Sequence, residues 1–330
     1  MFTFIVAVLT ACVSGYWLGQ RVIGFYFRKR LDPWGKAVLV SGCDTGFGNA
    51  LASRLHGLGF TVFAGCLDSK CEGALKLVKE AKQVERDDGR SKRPRMKVIQ
   101  MDICNDKEVA ESVRTVSSLL PKDTGLWGIV NNAGLSTFGE VEWCNLEMFQ
   151  RVADVNIWGG VRVVKAFLPL IRRAKGRIVQ MTSGLARQGH PGRSCYVLSK
   201  YAMEGFSQCL RYEMRRWGVH VSIIEPGNFI AATGIFTPEK IRQIANKMWD
   251  GMSEVTRQAY GKEAFDAQVE TMSYYSGVGT TDTAPVVDAM VAALTDSQPR
   301  IRYEPKDWYW RLRTFVMSIL PQEIGDWFYY

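Results

Sequence analysis

Residues 37–58 limit the fold more than any other part of the chain. Ala37-Val38-Leu39-Val40 is a short apolar run of the kind that forms a strand buried on both faces. Ser41-Gly42-Cys43-Asp44-Thr45-Gly46-Phe47-Gly48 follows it, and then a helical pattern to about Leu58. Glycines between a strand and a helix let the backbone turn tightly and come close to a ligand. The helix N-terminus adds unpaired N–H groups and a positive dipole, so the turn suits a pyrophosphate. Short apolar runs recur at 60–64, 97–101, 127–131, 177–182 and 219–224, separated by segments of helix length. Strand and helix in alternation imply an α/β fold, a doubly wound parallel sheet covered on both faces.

The alternation stops after Pro226-Gly227. Residues 237–272 read as amphipathic helix, with Pro238 at a first helical position behind Thr237. Helical inserts after the last catalytic strand usually wall a substrate pocket, so 228–280 is expected to form a lid within a catalytic domain spanning 33–304. A helix near 283–294 and a short strand at 301–303 would close the sheet. Residues 85–95 are charged, with Gly89 and Pro94, and read as a surface loop.

Residues 1–19 carry no charged side chain, and a helix of about 20 residues spans the roughly 30 Å hydrocarbon core of a bilayer. Arg21 and Arg28-Lys29-Arg30 follow, with Tyr16, Trp17, Phe25, Tyr26 and Phe27 suited to lipid headgroups. We read 1–32 as a membrane anchor whose basic flank leaves the catalytic domain facing the cytosol. A cleaved signal peptide is the alternative, but no basic segment precedes the apolar run. The tail 305–330 gathers Trp308, Tyr309, Trp310, Phe315, Trp327 and Phe328 with Arg311 and Arg313, which suits a membrane interface or a packed cover over the core or a second subunit. The net charge of +9 lies partly in Arg28-Lys29-Arg30 and in Arg90, Lys92, Arg93, Arg95 and Lys97. This pattern matches no nucleic-acid module and points to an anionic phospholipid surface. Eight cysteines lie scattered with no C-x-x-C pair, so no metal site is expected and free thiols in a reducing compartment explain them.

The chemistry concentrates at Tyr196 and Lys200, four apart on a helix pattern and therefore on one face. An ammonium one turn from a phenol favours phenolate, which lets the pair exchange a proton with an alcohol or carbonyl. Ser183 lies upstream in Thr182-Ser183-Gly184. Asn131-Asn132-Ala133-Gly134 ends the fourth strand, at the sheet edge where ligands of open parallel sheets bind. Asp102 ends the third strand and can accept from an adenine amine or serve the next helix as a cap. Asn156 falls inside a helix pattern, where a buried amide needs a partner such as a kinked backbone or an ordered water near Lys200.

The glycine turn, Asn131-Asn132-Ala133-Gly134, Asn156, Ser183, Tyr196-x-x-x-Lys200 and Pro226-Gly227 occur in the order and spacing of the short-chain dehydrogenases/reductases, and the chain resembles that family over roughly residues 36–303. The resemblance implies a Rossmann-type fold with Tyr196 as general acid/base and Lys200 lowering its pKa and binding nicotinamide ribose. Ser183 would polarise the substrate oxygen and Asn156 would hold a relay water. It also implies a cofactor site of Gly42, Asp44, Thr45, Gly46, Phe47, Gly48, Asp68, Asp102, Asn132, Ala133, Gly134, Tyr196, Lys200, Pro226, Gly227 and Thr233. Thr233 enters because Ala231 stands where many family members place a threonine that meets the carboxamide. Gly42-Cys43-Asp44-Thr45-Gly46-Phe47-Gly48 and Leu126-Trp127-Gly128 resemble the membrane-bound retinol, hydroxysteroid and D-β-hydroxybutyrate dehydrogenase branch, and 136–142, 226–233 and 308–330 are most similar to the hydroxybutyrate group. The uncharged N-terminus resembles the anchors of the retinoid and steroid enzymes instead, so an endoplasmic reticulum or a mitochondrial membrane is the expected location.

The second strand offers no acid until Asp68, and Lys70 nearby can welcome a 2′-phosphate. Asp44, Asp68 and the resemblance tilt the cofactor to NAD, with NADP open. A hydroxybutyrate carboxylate needs a cation or several donors in the pocket. Arg193, between Ser183 and Tyr196, is the candidate and joins Ser183 and Tyr196 as a substrate-binding residue. The expected reaction is interconversion of (R)-3-hydroxybutyrate and acetoacetate, with a retinol or hydroxysteroid as the alternative substrate. A non-catalytic lipid-surface member of the family is the alternative of a different class, and self-association into a homo-oligomer is compatible with either.

Overall fold

The computed structural model describes residues 15, 19, 29–88 and 95–326. Among the described residues seven strands alternate with helices. β1 (Ala37–Ser41) leads through the glycine turn to α1 (Gly46–Leu58), then come β2 (Thr61–Cys66), α2 (Glu72–Asp88), β3 (Met96–Gln100), α3 (Asp106–Leu119) and β4 (Gly128–Asn131). The second half continues with α4 (Leu146–Ala153), a π-helical turn (Asp154–Gly159), α5 (Gly160–Ala174), β5 (Arg177–Met181), α6 (Ser194–Met214) and β6 (His220–Ile224). The short α7 (Ile230–Thr233) precedes α8 (Pro238–Gly251), α9 (Glu254–Tyr260), α10 (Lys262–Gly277) and α11 (Ala284–Thr295). β7 (Arg302–Tyr303), α12 (Trp308–Ile319) and α13 (Gln322–Asp326) end the described chain.

The sheet order is β3-β2-β1-β4-β5-β6-β7 and every pairing is parallel. The switch in order falls between β1 and β4, where a crevice for ligand opens at the carboxyl ends of the strands. Successive residues of β1 serve opposite faces: Val38 and Val40 pack with α1 and α11, while Ala37 and Leu39 pack with α3 and α5. A strand buried on both sides has no use for polar residues, which is why these runs are continuous rather than alternating.

Residues 237–272 are not one helix but three. Thr237 caps α8 by accepting from Lys240 N at 3.3 Å, with Pro238 in its first turn as expected. The helix ends at Met252, Ser253 starts α9 by accepting from Thr256 N at 3.1 Å, and Gly261 at φ +78° divides α9 from α10. The broken path lets the segment fold over its own apolar cluster of Phe138, Trp143, Phe236, Ile241, Met248, Phe265 and Met272.

Most of the expected anchor, 1–32, lies outside the described residues, as do Trp327 and Phe328. Among the described residues no helix is long and apolar enough to cross a membrane. Trp308, Leu312, Phe315 and Ile319 form an exposed apolar stripe along α12. The described cysteines are all free.

Candidate active site

A cavity of about 570 Å³ opens at the carboxyl edge of β1, β4, β5 and β6, between the glycine turn and α8. Gly42, with φ +70°, leaves β1, and a Cβ there would lie 2.7 Å from Ala133 Cα. A Cβ on Gly48 would lie 2.1 Å from Gly42 O, so helix α1 starts pressed against the turn. Ser41 welds this turn to the end of β4: its Oγ accepts from Asn132 N and Ala133 N at 3.1 Å, and Asn132 Nδ2 donates to Ser41 O and Gly42 O at 3.0 and 3.1 Å. Gly42, Thr45, Gly46, Phe47, Asn132, Ala133 and Gly134 all line the cavity, while Gly48 lies behind the turn. The N-terminus of α1 and the absence of side chains leave a cradle that fits a dinucleotide pyrophosphate.

The acids behave differently from one another. Asp44 lines the cavity and its carboxylate accepts from Leu67 N at 3.0 Å and Asp68 N at 2.9 Å, holding the loop after β2. Asp68 itself is exposed, outside the cavity lining, and accepts from Lys70 N at 2.8 Å. Asp102 lines the cavity and accepts from Cys104 N at 2.8 Å, whereas the cap of α3 is Asn105. Beneath them Cys66 is buried, and burial together with the Asp44 carboxylate pushes its thiol up to about 12.

Tyr196 and Lys200 stand on the first two turns of α6 and line the cavity with Ser183, Pro226 and Gly227. Lys200 Nζ lies 5.4 Å from the Tyr196 ring centre and donates to Met181 O at 3.1 Å. Ser183 Oγ accepts from Leu185 N at 3.2 Å at the start of a short 3-10 turn, Gly184–Ala186. Asn156 is buried in the π-helical turn and satisfies its amide on all sides. Its Oδ1 accepts from Leu135 N, and its Nδ2 donates to Leu135 O and Ser199 Oγ, each at 2.9 Å. The wider π turn, a feature frequent at functional sites, accommodates that amide. Asn156 does not line the cavity. Near Gly134 it faces Lys200: a Cβ there would meet Asn156 Oδ1 at 3.2 Å and Lys200 Nζ at 3.8 Å. Thr233 lines the cavity but spends its hydroxyl on Ile230 O at 3.1 Å.

Arg193 also stands outside the lining. Its Nη2 donates to Ser136 Oγ at 2.9 Å, and its guanidinium lies 5.3 Å from the Tyr196 ring centre and 5.2 Å from that of Phe236. Ser136 and Tyr196, which it contacts, do line the cavity. Among the described residues no carboxylate pairs with Arg193, its Nε is buried without a partner, and burial holds the group below the ordinary arginine value, with Tyr196 acting the other way. Ser41, Leu67, Ser136, Ile235, Lys240 and Lys247 are site residues that the sequence reading did not single out as such. Only Ser41, the polar residue that ends an apolar strand before glycine, and the Lys240/Lys247 pair two turns apart on α8 left a readable signal.

The family profile described as short chain dehydrogenase matches residues 36–242. The chain is 51% identical to "D-beta-hydroxybutyrate dehydrogenase, mitochondrial" of Rattus norvegicus, over 88% of this chain and 83% of the relative. It is 37% identical to "17-beta-hydroxysteroid dehydrogenase type 6" of Rattus norvegicus and 34% identical to "Retinol dehydrogenase 7" of Mus musculus, in each case over 88% of this chain and 86% of the relative. The crystal structure of a short chain dehydrogenase/reductase from Burkholderia phymatum in complex with NAD shares the fold, with a TM-score of 0.66 over 88% of this chain and 96% of that one at 20% identity.

Proposed function

From a chain that belongs to the short-chain dehydrogenase family, an oxidoreductase of secondary alcohols and ketones, we propose the specific reaction (R)-3-hydroxybutyrate plus NAD⁺ to acetoacetate plus NADH, and its reverse. The observation that carries the substrate is Arg193: a half-buried guanidinium, its Nε buried, without a carboxylate partner and standing behind Tyr196 and Ser136. A charge drawn partly out of water without a counter-charge is costly, and a small carboxylate held near Ser136 would compensate it. A retinoid or a neutral steroid would not. The hydroxybutyrate dehydrogenases at about half identity agree with this choice.

Tyr196 Oη takes the hydroxyl proton as the alcohol becomes a ketone and returns it in reverse. Lys200, 5.4 Å from that ring, stabilises the negative charge that develops there. Ser183, which lines the cavity, holds the substrate oxygen, and Asn156 keeps the Leu135 backbone and helix α6 in place through Ser199. The nicotinamide ring, when bound, supplies or accepts the hydride. Gly42, Gly46, Ala133 and Gly134 would hold the dinucleotide, with Pro226-Gly227 beside its nicotinamide end. Asp44 supports NAD by putting negative charge near the ribose end of the cradle, whereas Lys70 lies beyond the exposed Asp68 loop.

The exposed stripe of Trp308, Leu312, Phe315 and Ile319 with Arg311 and Arg313 supports residues 305–330 as a phospholipid-surface segment, which with the anchor at 1–32 would place the catalytic domain 33–304 at a mitochondrial or endoplasmic reticulum membrane. The lid of 228–280 would then close the cavity over a substrate. Arg193→Ala tests the substrate reading: kcat/KM for (R)-3-hydroxybutyrate is expected to fall roughly 10²-fold, the scale of a lost charge-assisted contact, while kcat/KM for a neutral hydroxysteroid stays within about threefold. Equal losses on both would remove the carboxylate role.

A further inference from the structure

Behind the cavity, out of reach of either ligand, lies a cluster of buried charge. Glu225 follows β6 and immediately precedes Pro226-Gly227; its side chain is 0% exposed and it does not line the cavity. Its Oε2 lies 3.2 Å from Lys306 Nζ, whose side chain is also 0% exposed, and 4.0 Å from Arg187 Nη1. Its Oε1 meets Arg302, which bridges onward to Glu204. Lys306 also reaches Glu304 Oε1 at 3.2 Å. Arg187, Arg302 and Lys306 thus balance Glu204, Glu225 and Glu304. A second, smaller cavity of about 250 Å³, lined in part by Arg187, Arg302 and Glu304, opens on the cluster from the side of α12.

Three of its members belong to three different elements of the active site, and Arg302, Glu304 and Lys306 on and after β7 join them. Arg187 ends the 3-10 turn that starts at Ser183; Glu204 lies one turn beyond Lys200 on α6; Glu225 leads into Pro226-Gly227. The backbone repeats the connections. Gly184 N donates to Pro226 O at 2.9 Å, Gly227 N to Pro305 O at 3.2 Å, and Glu225 N to Tyr303 O at 2.9 Å. A Cβ on Gly184 would lie 3.3 Å from Lys306 Cε, so the Ser183 loop rests directly on the lysine stem.

We propose that Glu225 is a positioning residue: through Arg187, Arg302 and Lys306 it sets the Ser183 loop, helix α6 and the Pro226-Gly227 loop in mutual register, so that hydride and proton transfer depend on a carboxylate that touches neither ligand. A buried ion pair is a poor source of stability compared with apolar packing. What it supplies is direction, since a carboxylate with several charged partners at fixed places allows few arrangements of the elements that carry them. The inference rests on the family's reaction and not on which alcohol is oxidised.

The test compares wild type, Glu225→Gln, Arg187→Met and the double variant Glu225→Gln/Lys306→Met, using whichever of (R)-3-hydroxybutyrate or a neutral hydroxysteroid the wild type oxidises. If the wild type takes only the steroid, the substrate reading fails and this comparison still stands. Glu225→Gln is expected to lower kcat roughly 10²-fold, the scale of a misplacement of about 1 Å, with KM for the alcohol and the dissociation constant of NADH within about threefold of wild type. The double variant, in which the remaining charges balance, is expected to regain melting temperature while kcat stays low. Arg187→Met, which removes a half-exposed partner and leaves the fold intact, is expected to lower kcat several-fold at unchanged melting temperature. Three results overturn the proposal: kcat within twofold of wild type in Glu225→Gln, recovery of kcat together with melting temperature in the double variant, or full kcat in Arg187→Met. The last decides the matter if Glu225→Gln does not fold.

Discussion

On the cofactor side of the cavity the walls are backbone, and on the substrate side they are side chains. The turn from β1 into α1 admits no Cβ at Gly42 or Gly48, and the Ser41 and Asn132 hydrogen bonds fix it to β4. Across the cavity the lining is made by the side chains of Met148, Val152, Ile230, Ile235 and Ile244, and behind it Phe138, Phe236, Met248 and Met272 form a separate sulfur- and aromatic-rich cluster under α8 and α10. Around it the polar atoms Thr137 Oγ1, Arg193 Nε, Ser194 Oγ and Gln268 Oε1 are buried without partners. A backbone cradle accepts one shape of ligand and tolerates little change. A side-chain wall of flexible residues can be retuned between small acids, retinoids and steroids while the reaction stays the same.

That contrast predicts unequal responses to substitution. The largest concerns the residue shared by both sides: Tyr196→Phe removes the proposed proton-transfer group and should lower kcat/KM about 10³-fold or more, with NADH affinity within about threefold by fluorescence titration. Weak NADH binding would mean that the ring mainly shapes the cradle. Gly48→Ala would put a methyl 2.1 Å from Gly42 O and is expected to weaken NADH binding by roughly two orders of magnitude or to prevent folding. Gly277→Ala at the end of α10, where a Cβ meets nothing within 4 Å, should leave binding and melting temperature unchanged. Comparable damage at both glycines would erase the distinction. Lys247→Ala breaks a 2.9 Å pair with Glu147 between α8 and α4, both largely exposed. Such pairs contribute about 0–1 kcal/mol, so KM for the alcohol should move less than about fivefold; a larger shift would show the lid to be held by this contact.

The smallest effect is in thiol chemistry. Cys66, raised to about 12 by burial and by Asp44, and Cys43, raised by burial, should resist alkylation at pH 8 while the exposed Cys209 reacts. Because a thiol with a raised folded pKa favours its protonated form, the stability it contributes is present below the unfolded value near 9 and is lost as pH rises from there towards 12. Peptide mass mapping after alkylation checks the first statement, and rapid Cys66 labelling would show the cofactor floor to be open.

The cofactor side was largely legible in the sequence because its constraints act on the backbone. Gly42, Gly46 and Gly48 between an apolar run and a helix leave few alternatives, and the spacing of Ser183, Tyr196 and Lys200 marks one reaction. Asn156 was legible as a misfit in a helix, and the π turn answers it. The substrate side was less so. Amphipathic periodicity across 237–272 conceals the breaks at Met252 and Gly261, since an apolar face continues through them. Arg193 is a loop arginine by sequence, and only the fold shows it half-buried against Tyr196 and Phe236. Glu225, Arg302 and Lys306 carry no signature, because their meeting depends on parallel pairing of β6 and β7.

The most direct measurement is kcat/KM of the full chain, reconstituted in phospholipid vesicles, for (R)-3-hydroxybutyrate, a hydroxysteroid and retinol with NAD and with NADP. The account predicts highest kcat/KM for (R)-3-hydroxybutyrate with NAD, at least tenfold above every other combination. A higher value for the steroid or retinol, or for NADP, would contradict it.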